Sequence, residues 1–176
     1  MSPTRSRVSP PLVALVGWLV PGGGYWMIGQ RERALVVGAA IVSLFVLGLL
    51  LAGIRVVEVP GYDDFGARVH VDALGHRFHR TDPGYPQGRW ALTGRGFVGE
   101  IANKPWYIPQ IVAGPITLAT SALSVKAARA GVARVHARLM EVGVLYTAIA
   151  GMLNLLAIID AAYRAAADAA AEVDSR

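Results

Sequence analysis

The chain contains no cysteine, which excludes disulfides, thiolate-held zinc, iron–sulfur clusters and thiol nucleophiles. Charge is scarce as well. Only 16% of the 176 residues are Asp, Glu, Lys or Arg, against about a quarter in an ordinary soluble domain. Apolar residues make up 54% and the mean hydropathy is +0.44. They collect into four blocks separated by arginine-bearing stretches, which is the pattern of a chain that meets lipid. The balance of 17 bases against 12 acids would raise nucleic acid as a partner for a soluble protein. Here the bases flank apolar spans, so contact with anionic headgroups and the setting of orientation explain them. No nucleic-acid partner, cofactor or catalytic signature is expected.

The fold class expected is an all-α integral membrane protein with four transmembrane helices and a small, irregular, partly β extramembrane insert. The first span covers residues 11–28 and is broken at Pro21-Gly22-Gly23-Gly24, where a lost N–H is followed by a permissive backbone. A phosphate cradle is the other use of such glycines, but no Lys-Ser/Thr follows them. The second span, 34–54, carries no charge and is the clearest of the four. The third, 106–125, opens on the interfacial aromatics Trp106 and Tyr107 and contains Pro109 and Pro115. The fourth, 143–163, ends at Tyr163. The chain thus divides into a first hairpin (1–54), an insert (55–105), a second hairpin (106–163) and an alanine-rich tail (164–176).

Within the insert, Arg55–Val59 and Ala67–Val71 alternate as strands do, Pro60-Gly61 and Asp82-Pro83-Gly84 read as turns, and Gly96–Asn103 suits a short interfacial helix. Lys126, Arg129, Arg134 and Arg138 precede Glu141 with no intervening acid. The stretch 126–141 reads as a basic amphipathic connection, a topogenic cluster that meets lipid headgroups. An even number of spans puts both termini and the insert on one side. The short loops 30–33 and 126–141 go to the other, and their bases make that side cytoplasmic.

Small residues mark the expected packing faces. Gly143, Thr147 and Gly151 recur at every fourth position, as do Ala113, Thr117 and Ser121, so these faces are expected to meet. Asn154 continues the first stripe and serves as interhelical glue, while Asp160 can pair with Arg164 one turn on. Gly48 lies on none of these stripes, so bulk there is expected to cost little.

The stretch from Leu15 to Ala34, with Pro21-Gly22-Gly23-Gly24, Tyr25-Trp26-Met27-Ile28, Gly29 and then Gln30-Arg31-Glu32-Arg33, resembles the opening of the TM-two domain. Asn154-Leu-Leu-Ala-Ile-Ile-Asp160 resembles that family's closing run. Where the TM-two pattern has a His-Arg pair, this chain has Gly24 and Tyr25. Taken whole, the chain is similar to an uncharacterised bacterial membrane family, domain of unknown function 6677. The resemblance implies a multi-pass protein of the inner membrane, a cytoplasmic Arg31–Arg33 loop and no enzymatic activity. The expected role is that of a scaffold or accessory subunit. Its partners would be anionic lipids and a homo-oligomer or another membrane protein. A small oligomeric transporter or channel is the alternative, since broken helices often line binding sites. A membrane-bound enzyme using the insert comes third.

His70, His76 and His79, with Asp72 and Asp82, are the one metal-like group, but their spacing is loose and no metal site is expected. Replacing all three histidines with Gln should therefore leave thermal stability unchanged with or without zinc. A zinc-dependent rise in Tm that the triple variant loses would reverse this.

Overall fold

The computed structural model describes residues 8–71, 77–79 and 94–174. The described chain is mostly helical: α1 Pro10–Leu19, α2 Gly23–Met27, α3 Arg31–Ala52, a 3-10 turn Ile54–Val56, α4 Gly94–Asn103, α5 Tyr107–Ile111, α6 Pro115–Arg129 and α7 Ala137–Asp174. Two short strands, β1 Val69–Val71 and β2 Arg77–His79, pair antiparallel with Val69 opposite His79 and His70 opposite Phe78. Two helices, α3 and α7, are long and apolar enough to cross a membrane.

These two helices run antiparallel. Arg33 at the start of α3 meets Asp160 late in α7, and Gly48 and Ala52 near the end of α3 meet Gly143 early in α7. The seam on α3 is Ala34, Gly38, Ile41, Phe45, Gly48 and Ala52, spaced three or four apart as one helix face requires. At the crossing, a Cβ on Gly48 would stand 2.8 Å from Gly143 O, and a Cβ on Gly143 would stand 2.8 Å from Gly48 O. The two backbones are as close as side chains permit, and any bulk at either position must part them.

The first apolar block bends where expected but does not run on through the bundle. Gly22 takes φ +82°, and α2 folds back along α1: a Cβ on Gly23 would meet Val16 O at 2.9 Å, and one on Gly24 would meet Val13 O at 3.1 Å. Pro21 and Gly22 rest on α3, where Gly38 faces Pro21 O. The third block turns back too. Gln110 reaches Val56 O at 3.4 Å and Ser124 reaches Val57 O at 2.9 Å. On one straight helix these two side chains would be separated by about 21 Å, yet they meet consecutive residues. The reversal is at Gly114 (φ +98°) and Pro115.

The expectation of four through-running helices, with spans 11–28 and 106–125 among them, is corrected accordingly to two long helices and two hairpins. The hairpins enter from opposite ends. α1–α2 starts and finishes at the end that carries Tyr25, Arg33 and Asp160; α5–α6 starts and finishes at the end that carries Arg55.

The expected sidedness changes with it. Arg134 bonds Glu58 at 2.7 Å and Asp64 at 2.6 Å, so the 126–141 connection lies beside the insert, not across the bundle from it. It is not a continuous helix either, because the chain leaves the helical path after Arg129 with Gly131 at φ +75°. In the insert, Arg55–Val59 forms the 3-10 turn and an irregular strip instead of a strand. Val56 and Val57 are fully buried, which removes the exposed alternate face a strand there would need. The turn at Gly61 (φ +79°) and the helix before Asn103 are present; Asp82-Pro83-Gly84 falls outside the described residues.

The crossing also corrects the expectation for Gly48. Gly48→Leu should cost about 1–3 kcal/mol through overpacking when unfolding is followed in mixed micelles, whereas Leu50→Ala, at a side chain 76% exposed, should be close to neutral. Equal tolerance at the two positions would mean that the helices do not cross here.

Candidate functional site: the junction of the two hairpins

The tips of the hairpins meet inside the bundle, and proline chemistry explains what holds them. A proline lacks the N–H that would bond the carbonyl four residues earlier. Pro21 therefore leaves Gly17 O without its helix donor, while Pro115 opens α6 and Ile111 O takes the Gly114 N–H at 3.1 Å as one of its two donors. Both carbonyls take side-chain donors. Asn154 Nδ2 donates to Gly17 O at 3.2 Å and to Val112 O at 2.9 Å. Trp18 Nε1 donates to Ile111 O at 3.1 Å. Asn154 is wholly buried, so one amide on α7 ties the end of α1 to the end of α5. Gly114 allows the contact, since a Cβ there would overlap the Trp18 carbonyl oxygen.

Further along α7, Gln110 Nε2 donates to Thr147 Oγ1 at 2.8 Å, and Thr147 in turn donates back to Gly143 O and Val144 O. Thr117 Oγ1 donates to Gln110 O across the break, and Ser121 Oγ to Thr117 O. Asn154 Oδ1 and Gln110 Oε1 accept no bond from the described residues.

The face Gly143, Thr147, Gly151 and Asn154 is therefore shared among several neighbours. Gly143 and Thr147 pack on Gly48 of α3, Gly151 packs on the Pro109 carbonyl, where a Cβ would overlap that oxygen and stand 3.2 Å from Ala113 N, and Asn154 takes both tips. Of the expected receiving stripe, Ala113 reaches this face directly, while the Thr117 and Ser121 hydroxyls bond backbone within their own hairpin, at Gln110 O and Thr117 O. Gly23 and Gly24 lie buried between α1 and α7, where a Cβ on Gly24 would meet Ala161 Cβ at 3.0 Å; Gly29 (φ +82°) is an open turn with nothing near its Cβ position.

Asp160 closes the Tyr25 end. Its Oδ2 accepts from Tyr25 OH at 2.8 Å and from Arg164 Nε at 2.9 Å, with Arg33 at 3.6 Å. The Arg33 guanidinium also lies over the Tyr25 ring, 4.9 Å from its centroid.

The four bases assigned to lipid headgroups do not act alike. Lys126 and Arg138 are exposed, but Arg129 donates to Gly66 O at 3.0 Å and Arg134 is bound by Glu58 and Asp64. Those two fasten the insert to the α6–α7 connection, which corrects their assignment as free headgroup ligands. Beside them Arg55, 8% exposed, donates to Val132 O and Asp64 O. Burial, and next the Arg134 guanidinium, lower the Arg55 pKa, while Asp64, Asp63 and Glu58 act in the opposite sense. Lys104 Nζ donates to Val59 O and Tyr62 O, and Gly61 N donates to Glu100 Oε2. His70 and His79 occupy offset register positions; His76, Asp72 and Asp82 lie outside the described residues. Among the described residues no group of three His, Asp or Glu is placed to hold a metal.

Sequence reasoning did not single out Trp18, Gln110, Arg55, Lys104 or Gly114. The discernible signal was the position four residues before Pro21, which marks a carbonyl without its helix donor. Gln110 stands out too, as the one amide side chain of the third block.

This architecture defines a mostly helical protein of two long apolar helices and two opposed hairpins. The model of a family of unknown function, DUF6677, matches residues 12–172, and the chain belongs to that family. No curated protein and no solved structure matches it.

The junction predicts coupled energetics. Asn154→Leu strands two carbonyls and should cost about 1–2 kcal/mol, and Trp18→Phe about 1 kcal/mol. Because both residues hold the same pair of tips, a double-mutant cycle in mixed micelles should give a coupling of at least about 0.5 kcal/mol. Additive losses would mean that the tips are held independently.

Proposed function

We propose that the chain is a multi-pass inner-membrane protein with a non-enzymatic, associative role, as a scaffold or accessory subunit. α3 and α7 span the bilayer and the two hairpins are re-entrant, one from each face. The observation that carries this reading is how the interior polarity is used. Asn154, Trp18, Gln110, Thr117 and Thr147 are all bonded within the molecule, most of them to backbone carbonyls. The outward side chains of the long helices, such as Leu35, Val36, Leu50, Leu156 and Ile159, are apolar. Chemistry of that kind supports a rigid body that meets lipid or other apolar helices. A self-associated form or another membrane protein would be its partner.

A small oligomeric transporter or channel is the second reading. Two half-helix hairpins meeting from opposite faces favour it, since unwound backbone in transporters lines midplane sites. So do the two buried acceptors, Asn154 Oδ1 and Gln110 Oε1, with no donor among the described residues.

The topology has a direct test in cells. With Arg31 and Arg33 cytoplasmic, cysteines at Phe65 and Gly131 should be labelled together by an impermeant maleimide, and one at Gly29 should not. Four through-running spans would instead give Gly29 and Gly131 the same behaviour, opposite to Phe65. For the role itself, purification in gentle detergent should recover a stoichiometric membrane-protein partner or a self-associated form. Solute flux in proteoliposomes of the pure protein, abolished by Asn154→Leu, would put the transporter reading in its place.

A further inference from the structure

We infer that the Tyr25 end carries a binding site for the phosphate of an anionic phospholipid, formed by Arg33 and Arg164 with Arg31 beside them; this rests on the membrane reading above. Sequence pattern pointed instead to the 126–138 bases, but the insert occupies two of those. At the Tyr25 end the guanidiniums remain open to the outside. The Arg33 and Arg164 side chains are 45% and 40% exposed. Each is nonetheless fixed in place. Arg33 rests on the Tyr25 ring and reaches Asp160, Arg164 is bonded to the same Asp160 oxygen, and Arg31 lies over the Trp26 ring, 5.6 Å from its centroid.

A planar guanidinium whose orientation is already set loses little freedom on taking a second oxygen ligand, and its fork suits a phosphate diester. Trp26 and Tyr163 are exposed at the same level, as aromatics at a headgroup boundary are. Deeper along the same two helices, Val36, one turn from Arg33, and Leu156, about two turns from Arg164, expose apolar surface, where acyl chains would lie. Charge, fork and apolar surface are therefore stacked in the order of a phospholipid. Glu32 and Asp168, on these same helices, keep the end near neutral overall. Recognition is thus short-range, through the placing of the forks, and a free anion gains little. Asp160 competes with the phosphate for the two guanidiniums.

The test is native mass spectrometry of the full chain in detergent, titrated with phosphatidylglycerol and with phosphatidylcholine of matched acyl chains. The parent should hold one phosphatidylglycerol about tenfold more tightly than phosphatidylcholine. R33Q/R164Q should lose that preference, and K126Q/R138Q, at the opposite end, should keep it. D160N should bind phosphatidylglycerol several-fold more tightly than the parent, because the amide oxygen can still accept from Arg164 and the Tyr25 ring still carries Arg33, while the competing negative charge is gone. A residue that merely supports the fold would not produce that gain, so the arm stands even if the double-arginine variant folds poorly. Preference retained by R33Q/R164Q, or weakened by D160N, overturns the site and leaves the membrane reading intact. Displacement of the lipid by millimolar inorganic phosphate overturns a lipid site in favour of a general anion site. Recovery of the chain in the aqueous fraction without detergent overturns the membrane reading and the lipid site together.

Discussion

A backbone carbonyl buried without a donor is costly, and the two chain reversals leave carbonyls inside the bundle that must be met. Pro21 removes the N–H that would have bonded Gly17 O; at the other tip Val112 O takes a side-chain donor and Ile111 O takes one beside the Gly114 N–H. Both tips are thus fixed by donors brought in from elsewhere. Asn154 and Trp18 supply them, and the placing of α1, α5 and the middle of α7 follows from where those two side chains must reach. The short arms α2 and α5, five residues each, are too brief to be stable alone; their position is dictated by the elements they touch.

The second requirement is proximity. An amide has a short reach, so the helices it links must already be close. The buried seam of α7 is built almost wholly from small residues, Gly143, Thr147, Ala150, Gly151, Asn154, Ala157 and Ala161. Gly48 extends this to α3, and Gly114 extends it to the other tip. Dispersion between closely packed backbones holds these helices together. The larger side chains turn outward as a result.

Much of this was legible in the chain. The break at Pro21 and Gly22, the two long helices, the α7 stripe and the Asp160–Arg164 pair all arise from local chemistry, so their residues announce them. Direction does not announce itself in that way. A proline followed by glycine permits a kink or a full reversal, and hydropathy scores both alike. Contacts with residues far along the chain, Asn154 on Gly17 O and Gly114 against the Trp18 carbonyl, decide for reversal. The sidedness error was of the same origin, because counting crossings assumes that every apolar block crosses. The bases Arg129 and Arg134 were misjudged because their partners, Gly66, Glu58 and Asp64, lie some sixty to eighty residues earlier. Gly48 was overlooked since its counterpart is a glycine on another helix, and a close approach needs two helices to be seen.

The long reach of Asn154 also orders events during synthesis. It bonds a carbonyl 137 residues earlier, so the first hairpin emerges from the ribosome with an acceptor whose donor does not yet exist. Until α7 is made, Gly17 O must be met by water or by some other donor, so the first hairpin cannot take its final packing. Local helices form quickly, but a contact of such separation closes late. The arrival of α7 is then the step that draws the two tips together.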